Sequence, residues 1–153
     1  RTIAVNLKGV WLSMKYEILH MKEHGGGTIV NTSSESGLVG SLMTSPYVAS
    51  KHGVVGLTKT AAYEYANFNI RINAIAPGAV ETPLVAPLTQ EQRTVLLAPQ
   101  ALQRFAAPEE IAEAVLWLSS ARSSFVLGTI LPIDAGATAN AQSFDPMTSP
   151  SPS

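Results

Sequence analysis

The chain has 153 residues, of which 46% are hydrophobic and 14% charged, with a formal net charge of −1 at pH 7. That length suits one domain of ordinary size, and the scattered Lys and Arg residues exclude an extended basic surface for nucleic acid or an anionic membrane. With no cysteine, disulfides, thiol catalysis and Cys-ligated metal are excluded within this stretch; no apolar run reaches the ~18 residues of a membrane span and no signal peptide is visible, and the cytoplasm is the default expectation.

In chain order, Ile3, Leu7, Val10, Trp11, Met14, Ile18 and Met21 recur at a helical period and predict a helix over 3–23. His24-Gly25-Gly26-Gly27 ends it, because glycine takes the left-handed terminal conformation at little steric cost. Residues 28–31 form a short buried strand, and 33–45 are polar and glycine-punctuated, a loop at the strand's carboxyl end. Open α/β sheets place ligands there. Pro46 starts the next helix, which runs to about Phe68. Its Ala49, Ser50, Gly53 and Gly56 are small enough to let another backbone approach. A strand over 70–76 follows, then an irregular stretch over 83–107 with a short helix at 89–97. Pro108-Glu109-Glu110 opens a clear helix to Leu118, with proline and acids where the helix dipole favours them. Residues 129–133 are the last strand. Residues 1–138 are thus read as one α/β unit, and 139–153, rich in Ser, Thr and Pro, as a disordered tail.

The chemistry concentrates in Tyr47-Val48-Ala49-Ser50-Lys51, with Ser34 thirteen residues before Tyr47. Tyr47 and Lys51 lie one helical turn apart and can reach one cavity. A phenol with its pKa near ~10 is a poor base at neutral pH. A cation fixed ~4 Å away, in an effective dielectric of ~20, would bring it toward the working range. A serine hydroxyl beside it would bond the same substrate oxygen. The pattern predicts a proton-transfer site.

Other residues extend the pattern: Asn6 in Ala4-Val5-Asn6-Leu7-Lys8-Gly9, the strand Thr28-Ile29-Val30-Asn31 running into Thr32-Ser33-Ser34, and Ile70-Arg71-Ile72-Asn73-Ala74-Ile75-Ala76-Pro77-Gly78-Ala79-Val80-Glu81-Thr82. In this order and spacing they resemble the classical short-chain dehydrogenase/reductase family, over roughly residues 1–138. The resemblance implies the C-terminal part of a Rossmann-like, doubly wound parallel sheet with flanking helices. It implies an NAD- or NADP-dependent oxidoreductase interconverting a small-molecule alcohol and ketone by hydride transfer.

Residue by residue, the resemblance makes Tyr47 the general acid/base. Lys51 lowers its pKa and holds the nicotinamide ribose hydroxyls, and Ser34 polarises the carbonyl, with Ser33 as rival. Asn6 bends its helix and positions a water that links Lys51 to solvent. Pro77-Gly78 brings backbone close to a ligand, the backbone of Val80 meets the carboxamide, and Thr82 touches carboxamide or phosphate. Glu35, Ser36, Met43, Val85 and Leu88 are expected around the substrate. Asp134 and Gly136 match the family's Asp-Gly-Gly, from which Ala135 departs, and are read as structural. Family members form dimers or tetramers through two long helices, here 3–23 and 46–68.

The family's Gly-x-x-x-Gly-x-Gly turn and Asn-Asn-Ala-Gly stretch are absent from the sequence, which begins at Arg1. The expectation is a fragment, the C-terminal three-fifths of an oxidoreductase. Its strand at 28–31 would be an open parallel edge, and the isolated fragment would be inactive. A catalytically inert truncated or binding module is the alternative. Epimerases and dehydratases of the extended family also use Ser, Tyr and Lys, but the short spacing here favours the dehydrogenase reading. The acidic or basic residue that selects NAD over NADP would lie near a second strand this sequence does not include. His20 and His24 have metal-ligand spacing but no third ligand, and are read as surface histidines beside a helix C-terminus. No metal is expected. Asn31-Thr32-Ser33 matches a glycosylation sequon, given no weight at a buried strand end.

Overall fold

The computed structural model of the chain describes residues 1–139, so residues 140–153 of the expected tail lie outside the described residues. The first helix opens irregularly. Ala4–Lys8 is a π-helical turn, closed by the Gly9 N–H on the Ala4 carbonyl, and α1 follows over Gly9–Glu23. The predicted apolar spacing buries Met14 and Ile18. Gly25 and Gly26 take positive φ, 87° and 109°, and end the helix. A Cβ on Gly26 would collide with the Asn69 carbonyl oxygen, so only glycine lets the two turns meet.

Strand β1 covers Gly27–Thr32 and helix α2 covers Ser45–Tyr65, with Pro46 in its first turn. The predicted continuation to residue 68 is a 3-10 turn, Ala66–Phe68, which tightens into the left-handed Asn69 (φ 58°). Strand β2 is Ile70–Pro77 and α3 is Gln90–Leu97. Thr89 and Gln92 cap α3 reciprocally, Gln92 N–H to Thr89 Oγ1 at 3.3 Å and Thr89 N–H to Gln92 Oε1 at 2.9 Å. Helix α4 is Pro108–Ser119 and β3 is Ile130–Ile133.

The three strands form one parallel sheet in the order β1-β2-β3, with Gly27 opposite Ile70 and Ala74 opposite Ile130. Side chains alternate between its faces. Ile29, Ile70 and Ile72 pack with Met14, Ile18, Ala61 and Ala62 beneath α1 and α2. Ile70 and Ile72 are almost wholly buried, and each such side chain is worth about 1.5–3 kcal/mol. Asn31 lies on this face too, donating to Thr58 Oγ1 at 2.9 Å and lying 3.2 Å from Met14 Sδ. Its amide is therefore committed inside the fold. Arg71 and Asn73 point the other way, toward the end of α4 and the turn before β3. Arg71 donates to the Ser120 carbonyl at 3.0 Å, and Asn73 donates to the Val126 carbonyl and accepts from the Thr129 N–H, both at 3.0 Å. Helices thus cover both faces, and β1 has one unpaired edge among the described residues. Among them, no helix is long and apolar enough to cross a membrane.

Candidate active site

Three segments converge where parallel strands end: Ser33-Ser34 after β1, Pro77-Gly78 after β2 and Asp134 after β3. Loops at this edge carry ligand-binding groups because strand ends hold them rigidly while their own backbone stays open. The first turns of α2 bring Tyr47 and Lys51 to the same edge. The Lys51 ammonium lies 5.7 Å from the Tyr47 ring centroid and donates to the Thr32 carbonyl at 3.0 Å. That bond uses one of its three N–H groups and locks the side chain across the end of β1. Burial lowers the Lys51 pKa, since the charged form is the one desolvated.

The two candidate serines are differently engaged. Ser33 is buried and donates its hydroxyl proton to the Lys51 carbonyl at 3.0 Å, tying the strand end to α2. Ser34 caps the 3-10 turn Glu35–Gly37, its oxygen accepting from the Ser36 N–H at 3.2 Å. That contact uses a lone pair and leaves the Ser34 proton uncommitted among the described residues. Asn6, in the π-helical turn, donates to Ser50 Oγ at 3.4 Å, and Ser50 donates to the Tyr47 carbonyl at 2.6 Å. Asn6 is therefore brought to the backbone stretch that carries Tyr47 and Lys51.

Glu35 and Ser36 occupy the 3-10 turn, and Ser36 is buried. Glu35 Oε2 is the one buried side-chain nitrogen or oxygen without a hydrogen-bond partner among the described residues. Burial, and behind it the charge of Asp134, pushes the Glu35 carboxyl above its ordinary value. The oxygen lies against Gly78, where an added Cβ would come within 3.1 Å of it and 2.6 Å of Gln100 Oε1. A side chain at position 78 has no room.

Beyond Gly78 the chain pairs with the segment before α4. The Ala106 N–H donates to the Ala79 carbonyl and the Glu81 N–H to the Ala106 carbonyl, both at 2.9 Å, a parallel bridge of Val80 on Ala106. In such a bridge the central residue's own N–H and C=O face away from its partner, and neither Val80 group finds a partner among the described residues. Arg104 and Glu110 brace the Ala106 side through a bidentate pair at 2.7 and 2.8 Å. The hydrogen bond from Arg104 is the largest of the influences that lower Glu110 to about 2.

Thr82 begins a tight turn, its carbonyl accepting from Val85 N–H at 3.0 Å and Ala86 N–H at 3.2 Å. Val85 and Leu88 are half-buried, whereas Met43 is fully exposed with φ 60°. Arg93 ties α3 to this stretch through its ion pair with Glu81 and a bond to the Val85 carbonyl, and its guanidinium lies 4.5 Å from the Phe105 ring centroid. Asp134 is buried, accepting from Gly136 N–H at 3.1 Å and Thr138 N–H at 2.9 Å, so it shapes a turn. His20 and His24 stack 3.9 Å apart, and among the described residues no three His, Cys, Asp or Glu side chains converge as a metal site. Gln100 was invisible in the sequence. A lone amide in Ala98-Pro99-Gln100-Ala101-Leu102 has no periodicity or motif around it, and its importance comes from partners in space.

The family model described as enoyl-(acyl carrier protein) reductase, adh_short_C2, matches residues 1–138. A cis-4-hydroxycyclohexanecarboxylate dehydrogenase of Sinomonas cyclohexanicum is 48% identical over 139 residues, covering 91% of this chain and 56% of that protein. The structure of a 4-hydroxyisoleucine dehydrogenase complexed with NADH superposes with a TM-score of 0.86 at 33% identity, over 91% of this chain and 58% of that one. ElxO with NADP bound gives a TM-score of 0.82 at 33% identity, over 88% and 56%. The chain spans about half the length of the curated relatives it matches.

Proposed function

This chain belongs to the short-chain dehydrogenase/reductase family, and from that premise we propose that it supplies the catalytic part of an NAD- or NADP-dependent oxidoreductase interconverting an alcohol and a ketone. The observation that carries the reading is the Lys51 ammonium, pinned across the end of β1 at 5.7 Å from the Tyr47 ring, beside a turn whose Ser34 proton is unspent. A ring-borne or small cyclic alcohol is the favoured substrate class, in keeping with the hydroxycyclohexane substrate named for the Sinomonas relative.

The residues present fit the nicotinamide end of such a cofactor. Lys51 has two further N–H groups for ribose hydroxyls, and the free amide of Val80 suits a carboxamide. When bound, the nicotinamide accepts or supplies the hydride. In the oxidation direction, Ser34 donates to the substrate oxygen and Tyr47 takes the hydroxyl proton as the C–H bond breaks. In reduction the same proton returns to the carbonyl oxygen. Asn6, through Ser50, holds the start of α2 in register with this exchange. Thr82 is assigned to the carboxamide or phosphate, and Glu35, Ser36, Met43, Val85 and Leu88 to the substrate.

The outward faces of α1, which exposes Trp11, Tyr16 and Leu19, and of α2, which exposes Tyr63, pack against a second copy in this reading, giving a dimer or tetramer. The test is made on the native polypeptide that carries these residues. Cyclohexanol and cis-4-hydroxycyclohexanecarboxylate are offered with NAD or NADP, and absorbance at the reduced nicotinamide band is followed. Turnover that vanishes in Tyr47→Phe supports the assignment; a native polypeptide that binds neither cofactor sinks it and leaves an inert module.

A further inference from the structure

We propose that Gln100 is a positioning residue, holding the backbone turn after β2 in the orientation that offers Val80 to the nicotinamide carboxamide. The inference rests on the oxidoreductase reading and adds a residue to it. Gln100 is 4% exposed. Its amide oxygen accepts from the Ala79 N–H at 2.8 Å, and its amide nitrogen donates to the carbonyls of Arg104 at 2.9 Å and Leu102 at 3.4 Å. One side chain thus links the turn after β2 to the loop before α4, using its acceptor on one and its donors on the other.

The consequence lies in what Ala79 does next. Its carbonyl is held by Ala106 and its N–H by Gln100, so the peptide groups on both sides of Ala79 are fixed. The next residue is Val80, whose N–H and C=O are the pair left free by the bridge. Without the Gln100 amide, the Ala79 N–H loses its partner in a half-buried turn, a cost that rotation about Gly78 relieves. Gly78 offers little resistance, since it has no side chain to block rotation. Rotation there would turn the Gly78–Ala79 peptide and pull on the two Ala106 bonds that aim Val80, while leaving Lys51, Tyr47 and Ser34 untouched. The Gln100 acceptor cannot be replaced by an isosteric apolar group, whereas a purely packing role could be.

The experiment compares two ligands on the native polypeptide carrying these residues and on its Gln100→Leu variant. One is the reduced dinucleotide the wild type prefers, and the other is the matching ADP-ribose, which has no nicotinamide. Calorimetric titration reads both. The expected result is a loss of roughly tenfold for the dinucleotide, the order set by unpairing one buried amide, with ADP-ribose affinity held to within about twofold. An equal loss for both ligands, or for neither, overturns the proposal, the first because Gln100 then supports the fold generally. A wild type that binds neither ligand refutes the oxidoreductase reading itself and takes this inference with it.

Discussion

Replacing Lys51 with methionine isolates the electrostatic part of the site. The ammonium lies 5.7 Å from the Tyr47 ring centroid, and the side chain is half-buried. At an effective dielectric of ~20, a unit charge at that distance attracts a negative charge spread over the ring by about 3 kcal/mol. That attraction exists only while the phenol has given up its proton, so it stabilises the charged reacting state and not the resting one. At ~1.36 kcal/mol per tenfold, kcat should fall by roughly two orders of magnitude with cofactor and substrate both saturating. The lost ribose contact should raise the cofactor KM separately. The assay is alcohol oxidation by the native polypeptide carrying these residues, with Thr32→Ala as a comparison that leaves the Thr32 carbonyl, and so the lysine's tether, in place. A Lys51→Met variant with unchanged kcat and only a raised KM would show that the cation binds cofactor and does nothing for the proton, contrary to the argument.

Glu35 holds its proton more tightly in the folded chain than unfolded. Its stabilising contribution is therefore complete below the unfolded carboxyl value and declines as pH rises through the folded one, so Glu35→Gln should flatten the fall in Tm on that side. Glu110 behaves oppositely: lowered to about 2 from 4.5, its contribution is present above pH 4.5 and is lost as pH falls toward 2, so acid unfolding of Glu110→Gln should show a shallower dependence there. Ala135 carries a φ of 53°, a conformation that costs an L-residue about 1–2 kcal/mol. Part of that is offset by glycine's extra unfolded-state freedom, so Ala135→Gly should raise Tm by a few degrees; a lower Tm would mean that the methyl group packs usefully.

The sequence laid out most of the fold because its signals are local. Apolar spacing found α1, proline and acids marked the start of α4, and glycines marked the end of α1. Where it fell short, the deciding contact lay far along the chain. Helix α2 ends at Tyr65 because the chain must turn through Asn69 to meet Gly26, forty-three residues earlier. The π-helical opening around Asn6 was expected only as a bend. At the candidate site, the closeness of Tyr47 and Lys51 is legible through spacing, since helix geometry makes i and i+4 neighbours, whereas Ser34 is reached only through the order of the motifs. Gln100 and the Val80–Ala106 bridge were not, because pairs separated by twenty residues and more leave no periodic trace. The burial of Glu35 was equally hidden, for a carboxyl next to a polar loop reads as solvated until the turn after β2 closes over it.

The two adjacent serines put that reasoning to its sharpest test. Ser33 donates its proton to the Lys51 carbonyl, so Ser33→Ala removes a tether between β1 and α2, and a hydrogen bond of that kind contributes about 0.5–1.5 kcal/mol to stability. The Ser34 proton is committed to no described residue, and its oxygen accepts only the Ser36 N–H. Ser34→Ala therefore loses a weak cap and, in the reacting complex, a donor aimed at the substrate oxygen, a loss on the order of 100-fold in kcat. Thermal unfolding and kcat measured on both variants should separate: Ser33→Ala lower in Tm with kcat within a few-fold of wild type, Ser34→Ala near wild type in Tm with kcat collapsed. The reverse pattern would place the substrate oxygen on the other side of the strand end, and Ser33 would then be the hydroxyl that meets it.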